Sequence, residues 1–183
     1  MKMGLISRAF GAVLLSSLCA AASVPAAHAV SFGSAGQGKS SVHKLEEAGI
    51  QFTIPAGWEA KADKDSVKVV PKATHDAQVA FIPLPIPTDM KAEEKDDLFN
   101  SLVGKSGIDN QTLGEYKGRE SLSGMPIAAR PFEGKNNGHD VEGVYYLLSA
   151  DKLVFIVLVG DKSLSDDLGN EAVAIIKSVK KIE

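Results

Sequence analysis

Histidines next to aspartates are the residues of this chain that could most readily do chemistry. They occur twice, as His75-Asp76 and His139-Asp140. Imidazole and carboxylate groups together suit a zinc ion, so two such pairs brought together by the fold could hold a metal. Both pairs lie in predicted turns, and no HExxH motif is present. Because closed zinc sites usually show tighter local spacing, solvated turns are the favoured interpretation. We therefore predict no metal site and no cofactor.

Serine nucleophiles and paired acids are the other candidates for catalysis. No G-x-S-x-G motif occurs, and the segment Ser121-Leu122-Ser123-Gly124 is typical of a turn. Paired carboxylates can hydrolyse glycosides, but Glu93-Glu94 and Asp166-Asp167 lie near predicted helix starts, where acids favour the helix dipole. We predict no catalytic residue and no enzymatic activity. A metal-dependent or serine hydrolase whose site forms only in three dimensions remains an alternative.

A proline-rich segment, Phe81 to Met90, is the candidate for binding a partner. Its sequence is FIPLPIPTDM, and alternating prolines keep Leu84 and Ile86 extended. A stiff segment can offer apolar side chains to a partner at low entropic cost. Leu84, Ile86 and Met90 are therefore the predicted partner-binding residues. The competing interpretation, which we favour, is a crossover whose apolar side chains cover the core.

Apolar alternation and turn signals predict the strands that position these residues. The predicted strands are Ile50 to Ile54, Ser66 to Val70, Ala77 to Ile82, Thr112 to Gly118, Met125 to Phe132, Val141 to Leu148 and Leu153 to Val159. The last strand has no polar residue on either face, and the VYYLL stretch of the strand before it is nearly as apolar, which is typical of strands that are covered on both sides. We expect Trp58, the only tryptophan, to pack in the core rather than to stack on a ligand.

Two helices are predicted to cover that sheet. The first runs from Thr88 to Val103, with Thr88 or Asp89 as its cap. The second follows Ser163, with Asp166 at the capping-box position and an apolar stripe along one side. The predicted fold class is α+β: an antiparallel sheet of about six to seven strands between two main helices, an αβα sandwich.

The N-terminus carries a targeting pattern. Basic residues, an apolar run and Ala27-His28-Ala29 form a secretory signal over residues 1–29, with cleavage expected after Ala29. A glycine- and serine-rich arm follows over residues 30–43, and one domain spans residues 44–183. Cys19, the only cysteine, lies inside the signal, so we expect a mature chain without disulfides or thiol chemistry. We predict no integral membrane span after cleavage.

The order of elements and two short phrases resemble a known superfamily. The phrases are Phe-x-Ile-Pro-x-Gly-Trp, from Phe52 to Trp58, and the closing Ala174-Ile175-Ile176-Lys177-Ser178-Val179. Together they resemble the PsbP-like and DcrB-like proteins over residues 47–183. The resemblance implies an αβα sandwich. That superfamily includes an extrinsic photosystem subunit, a Ran-binding protein and bacterial periplasmic proteins, and their common theme is binding. The short arm makes a photosystem role doubtful.

These observations predict an exported, non-enzymatic periplasmic or secreted protein that binds a protein partner or assists an envelope assembly. A net charge of −3 without a basic cluster argues against nucleic acid as the partner. A small-molecule binding module, with a cleft between the sheet and the first helix, is the second hypothesis. A hydrolase is the third. The identity of the partner or ligand and the oligomeric state stay open.

Overall fold

The computed structural model describes residues 39–183, apart from the side chain of Arg119. The predicted signal and most of the predicted arm lie outside these residues. Within them the helices are α1 (Ala92–Gly104) and α2 (Asp166–Lys177), and a 3-10 turn spans Glu46–Ala48. The strands are β1 (Ser41–Leu45), β2 (Ile50–Ile54), β3 (Trp58–Asp63), β4 (Ser66–Pro71), β5 (Ala77–Pro83), β6 (Asp109–Leu113), β7 (Lys117–Leu122), β8 (Met125–Asn136), β9 (His139–Ser149), β10 (Leu153–Asp161) and β11 (Lys180–Lys181).

The strands of the described region form two antiparallel sheets. The large sheet has eight strands in the order β3-β4-β5-β10-β9-β8-β6, and β7 also pairs with β8. The small sheet has the order β1-β2-β11. β9 and β10, whose segments Val144–Leu148 and Leu153–Val159 carry only apolar or aromatic side chains, lie in the interior of the large sheet, as their composition predicts.

Alternate side chains of the central strands are buried on opposite faces. Tyr146 of β9 and Ile156 of β10 belong to the core that packs against α2. Tyr145 and Phe155, their chain neighbours, belong to the core that packs against α1. One helix therefore covers each face, and the predicted α+β sandwich is confirmed.

The small sheet adds to the α2 face. Ile50, Phe52 and Ile54 of β2 are buried in the same core as α2. The ring of Phe52 stacks on Phe81 of β5, with centroids 4.1 Å apart. The two sheets are thus joined by direct aromatic packing, which also buries a large apolar area. Trp58 is buried in this core, as predicted.

One predicted strand is wrong. The segment from Thr112 to Gly118 is not one strand: β6 ends at Leu113 and β7 begins at Lys117, and the two pair with different halves of the long β8. The break faces Pro131 of β8, whose carbonyl accepts a hydrogen bond from Gly114 N at 2.8 Å. Proline has no N–H to donate to a ladder, so a regular pairing does not continue past it.

Both helix caps also differ from the prediction. The N-cap of α2 is Ser165 rather than Ser163, and Ser163 bonds to Asp161 instead. The N-cap of α1 is Lys91 rather than Thr88 or Asp89, and its N–H donates to the Glu94 carboxylate at 2.9 Å. A charged side chain three residues into the helix satisfies an N-terminal donor here.

The remaining differences concern edges and ends. The large sheet has eight strands against the six to seven predicted, and β1, β3 and β11 were not predicted. β3 reads Trp-Glu-Ala-Lys-Ala-Asp and lies at the sheet edge, where little of it is buried, so apolar alternation is weak. β1 begins at Ser41, three residues before the predicted domain start. Within residues 39–183, no helix has the length and apolar character to cross a membrane.

Candidate functional site

A cleft of about 320 Å³ opens at the end of the four central strands of the large sheet. It lies where β5 and β9 begin and where β8 and β10 end. Three segments line it: residues 75–78, residues 136–141 with the exception of Gly138 and Asp140, and residues 159–161. These segments are far apart in sequence but adjacent in space, because β5 and β9 both pair with β10.

The floor of the cleft is apolar and its walls can form hydrogen bonds. Val141 and Val159 are buried and belong to the α1-side core. Gln78 lies opposite Val159 in the β5–β10 register, and Asn136 lies opposite His139 in the β8–β9 register. Gln78 and Asn136 are partly buried, whereas His139 is exposed at the rim.

Backbone hydrogen bonds fix the rim. Asp161 N donates to the carbonyl of Asp76 at 2.8 Å, and Lys162 N donates to the carbonyl of Asp140 at 3.1 Å. Each bond joins the end of β10 to the start of a neighbouring strand. The turn between β8 and β9 is formed by Asn137 and Gly138, both at positive φ, as the Asn-Gly signal predicts.

Asp161 is held ionised by its own turn. Its Oδ1 accepts hydrogen bonds from Ser163 Oγ at 2.6 Å and from Ser163 N at 2.8 Å. These bonds lower the pKa of Asp161, and the charge of His139 lowers it further by a smaller amount. The carboxylate therefore shapes the turn and adds negative potential to the cleft.

Ion pairs surround the outer rim. Lys135 Nζ lies 2.9 Å from Asp140, and Lys162 Nζ lies 2.7 Å from Glu133. The hydrogen bond from Lys135 lowers the pKa of Asp140, and the bond to Glu133 raises the pKa of Lys162. Asp140 and Lys162 are therefore charged at neutral pH. These pairs are exposed and contribute little stability, but they hold the hairpin side chains next to the cleft.

The structure brings the two predicted His-Asp pairs to one place, although not as a metal site. His75, Asp76 and His139 line the same cleft, and Asp140 is turned toward Lys135. Among residues 39–183, no three His, Cys, Asp or Glu side chains are grouped so that they could hold a metal ion. His43 lies elsewhere, on β1, with its ring 5.2 Å from that of Phe52.

The proline-rich segment lies along the α1 side of the sheet. Leu84 is only 8% exposed, and its N–H donates to the Leu153 carbonyl at 2.8 Å. Ile86 and Met90 are partly buried and pack against the same core. Leu84 thus covers the core, in agreement with the favoured interpretation. A role for Ile86 and Met90 in binding a partner stays a prediction.

Sequence reasoning missed four polar residues of the cleft: Gln78, Asn136, Asn137 and Asp161. Each lies at a strand end or in a turn, where polar residues are ordinary. The only available signal was the position of both His-Asp pairs next to strand starts. It becomes informative once β10 is known to lie between β5 and β9, and that order is not readable from one sequence.

The sequence matches no family model and no curated protein, but it has structural neighbours. Cyanobacterial PsbP (CyanoP) from Synechocystis has a TM-score of 0.61 at 15% sequence identity, with 83% of this chain and 98% of that chain covered. A Bacteroides thetaiotaomicron protein has a TM-score of 0.48 at 12% identity, covering 74% of this chain and 46% of that one. PA94 of Pseudomonas aeruginosa, described as a protein of unknown function and putative regulator, scores 0.42 at 13% identity, covering 68% and 84%. The likeness to CyanoP shows that this chain has a PsbP-like fold.

Proposed function

We propose that this protein is an exported accessory protein that acts by binding, and that its cleft holds a small polar ligand. One observation carries the proposal: hydrogen-bonding side chains from three separate segments converge on a concave surface with an apolar floor. Such a combination is what small-molecule sites share. The cleft lies at the ends of the strands rather than between the sheet and the first helix, where the sequence placed it.

The chemistry of the lining points to the ligand class. Gln78 and Asn136 carry amides, which donate and accept, and His75 and His139 add imidazoles. A volume of about 320 Å³ is at the small end of ligand pockets. These groups suit a compact ligand rich in hydroxyl or amine groups. The negative charge of Asp161 favours a neutral or cationic ligand over an anion.

Several observations support binding over catalysis. The Asp161 carboxylate is engaged by Ser163, and the Asp140 carboxylate is engaged by Lys135, so both have local partners. The resemblance to the PsbP-like and DcrB-like proteins implies a binding role. Export to the periplasm is supported by the signal pattern at residues 1–29.

Ligand binding is tested by a thermal-shift screen with small polyols and amines, followed by calorimetry on any compound that raises Tm. We expect His75→Ala combined with His139→Ala to weaken binding by about tenfold or more, since two hydrogen bonds are lost. Both side chains are exposed, so stability should change little. His43→Ala is the matched control, because it removes a histidine far from the cleft. Equal affinity in the double variant and the control would exclude this cleft.

Export is tested separately by fractionating cells that express the full sequence. We expect the mature protein in the periplasmic fraction with Val30 at its N-terminus. Retention in the cytosol with Met1 intact would contradict the proposed location without affecting the ligand site.

A protein partner is the second candidate, favoured by the partial exposure of Ile86 and Met90 next to the buried Leu84. Ile86→Ser with Met90→Ser should abolish crosslinking to a partner in a periplasmic pull-down, and it should lower Tm less than the loss of the buried Leu84 does. Leu84→Ser is the control for folding and should lower stability by about 2 kcal/mol through lost burial. If the double variant loses stability as Leu84→Ser does and keeps its crosslinks, the segment only covers the core.

A further inference from the structure

β1 is an edge strand with one side open. In the small sheet it pairs with β2 only, and no other strand of residues 39–183 lies on its outer side. Val42, in the middle of β1, is 62% exposed and is the one large hydrophobic residue of the described chain with such exposure. Open edges with exposed apolar residues are templates for pairing with another strand.

The backbone groups at this open edge can be assigned. Thr53 N donates to Ser178 Oγ at 2.8 Å, and the Gly49 carbonyl accepts from Ile182 N at 2.9 Å. Both bonds lie on the side of β2 that faces β11, so Thr53 and the alternate residues Gln51 and Gly49 direct their backbone groups away from β1. Val42 lies opposite Thr53, and Lys44 lies opposite Gln51, which shares that direction. Because residues of a ladder alternate in direction, Val42 and Lys44 present their N–H and C=O groups to the open side.

One edge strand of the large sheet, β3, is protected by charge. Lys61 forms an ion pair with Glu59 at 2.9 Å, and Asp63 lies 3.5 Å from Lys68 of β4. Edge charges of this kind oppose strand addition. Lys44 is the one Lys, Arg, Asp or Glu within β1, so β1 is less protected than β3.

We propose that β1 pairs antiparallel with β1 of a second copy of this chain, about a two-fold axis at His43. In this register Val42 of each copy lies opposite Lys44 of the other, and these residues exchange four backbone hydrogen bonds. The stem of Lys44 then covers Val42 of the other copy and removes its apolar surface from water.

The charges at the two ends of β1 select this partner and this direction. Lys39 precedes the strand, and Glu46 and Glu47 follow it. Antiparallel pairing brings Lys39 of one copy close to Glu46 and Glu47 of the other, twice by symmetry. Glu47 also lies 3.8 Å from Lys152, a long and exposed contact that leaves the carboxylate accessible. A contact this small gives a weak dimer.

Disulfide trapping tests the register, with the full-length gene product purified in a Cys19→Ser background. His43→Cys places the thiol directly opposite its own copy, so we expect a covalent dimer under mild oxidation. Ser41→Cys is the matched control: it lies opposite Leu45 of the other copy and roughly 13 Å from its own, beyond the reach of a disulfide. Equal crosslinking of both variants, or none of His43→Cys, overturns the proposal.

Analytical ultracentrifugation tests the interface without oxidation. Val42→Pro removes a donor that faces away from β2, so we expect an unchanged Tm and a dissociation constant raised at least about tenfold. Val42→Ile keeps the N–H and should behave as the wild type. Lys39→Glu should weaken the dimer, and adding Glu47→Lys should restore it. A monomer at all concentrations, or a lack of rescue by Glu47→Lys, contradicts pairing between copies in this register.

Discussion

Tyr145 joins the central sheet to the end of the first helix through its hydroxyl group. The ring is fully buried on the α1 face, stacked against Phe132 with centroids 4.2 Å apart. Its hydroxyl lies 2.7 Å from Ser106 Oγ and 3.1 Å from Gln111 Oε1. The Gln111 amide in turn donates to the Ile108 carbonyl at 2.8 Å. The loop after α1 is therefore held to β9 by one polar network at the border of the apolar α1 core.

Tyr145→Phe should lower the free energy of unfolding by about 1–2 kcal/mol, because Gln111 and Ser106 lose a buried partner while the ring packing stays. Urea denaturation measures this loss. A double-mutant cycle with Ser106→Ala shows whether the energy belongs to the network. Additive losses in the cycle would mean that the two groups act independently.

Asp161 offers a pH-dependent prediction at the cleft. Hydrogen bonds from Ser163 lower its pKa below the ordinary value of 3.8. The ionised form therefore stabilises the fold above that ordinary value, and the stabilisation is lost as pH falls through the lowered value. Ser163→Ala removes the Oγ bond, so the pKa of Asp161 should rise toward 3.8, measured by NMR titration of the carboxyl carbon. An unchanged titration would mean that the backbone N–H of Ser163 is the sufficient donor.

At the scale of elements, α2 is attached to the sheets by two polar contacts besides its apolar stripe. Trp58 Nε1 of β3 donates to Glu171 Oε2 at 2.6 Å, and Thr53 N of β2 donates to Ser178 Oγ at 2.8 Å. The two contacts fix the middle and the C-terminal end of the helix against two different sheets. The apolar stripe alone would permit sliding, so these bonds set the position of α2 along the sheet.

Glu171→Ala should lower stability by about 1.5–3 kcal/mol, since a charge-assisted bond is lost and the indole N–H is left without its acceptor. Trp58 is the only tryptophan of the chain, so its emission reports the change directly. We expect a shifted emission maximum in the folded state. Asp167→Asn, on the first turn of α2 and exposed, is the control and should leave the emission unchanged.

Strands with one fully buried face could be predicted from the sequence. Strands at the edge of a sheet, which bury few side chains, could not. The strand Ile50–Ile54 has the predicted bounds because its side chains alternate between core and surface. β3 was missed and β7 was misplaced. Both consist largely of charged and small residues and lie at the edge of the sheet, where few side chains are buried. The cap of α2 was misplaced by two residues, since Ser163 and Ser165 are equally good caps in sequence and only the turn at Asp161 decides between them.

The cleft was predictable only in part, for a topological reason. The two His-Asp pairs were candidates in the sequence because of their residue types, and the structure places them at neighbouring strand ends. Their meeting depends on β10 lying between β5 and β9, and strand order in an antiparallel sheet is decided by long-range packing. Gln78 and Asp161 gave no signal of their own, because a polar residue at a strand end is the ordinary case.

At the scale of the whole molecule, both cores share the same strands. β9 and β10 contribute alternate residues to the α1 core and the α2 core. Neither core can therefore lose its strands without exposing the other. We expect a single cooperative unfolding transition, as is usual for a domain of this size.

Phe99→Ala tests whether the two cores unfold together, because it changes the α1 core while the fluorescent probe, Trp58, lies in the α2 core. Phe99 is fully buried in the α1 core, with its ring 6.2 Å from that of Phe155, whereas Trp58 lies in the α2 core. The substitution should cost about 3–5 kcal/mol, through lost burial and the cavity that remains. Because the cores share β9 and β10, Trp58 fluorescence and far-UV circular dichroism should shift to lower urea together, with coincident midpoints. The contrary result is that the Trp58 midpoint stays at the wild-type value while part of the circular dichroism signal is lost at lower urea. It would show that the two cores unfold independently, with α1 unfolding while α2 stays packed on the sheet.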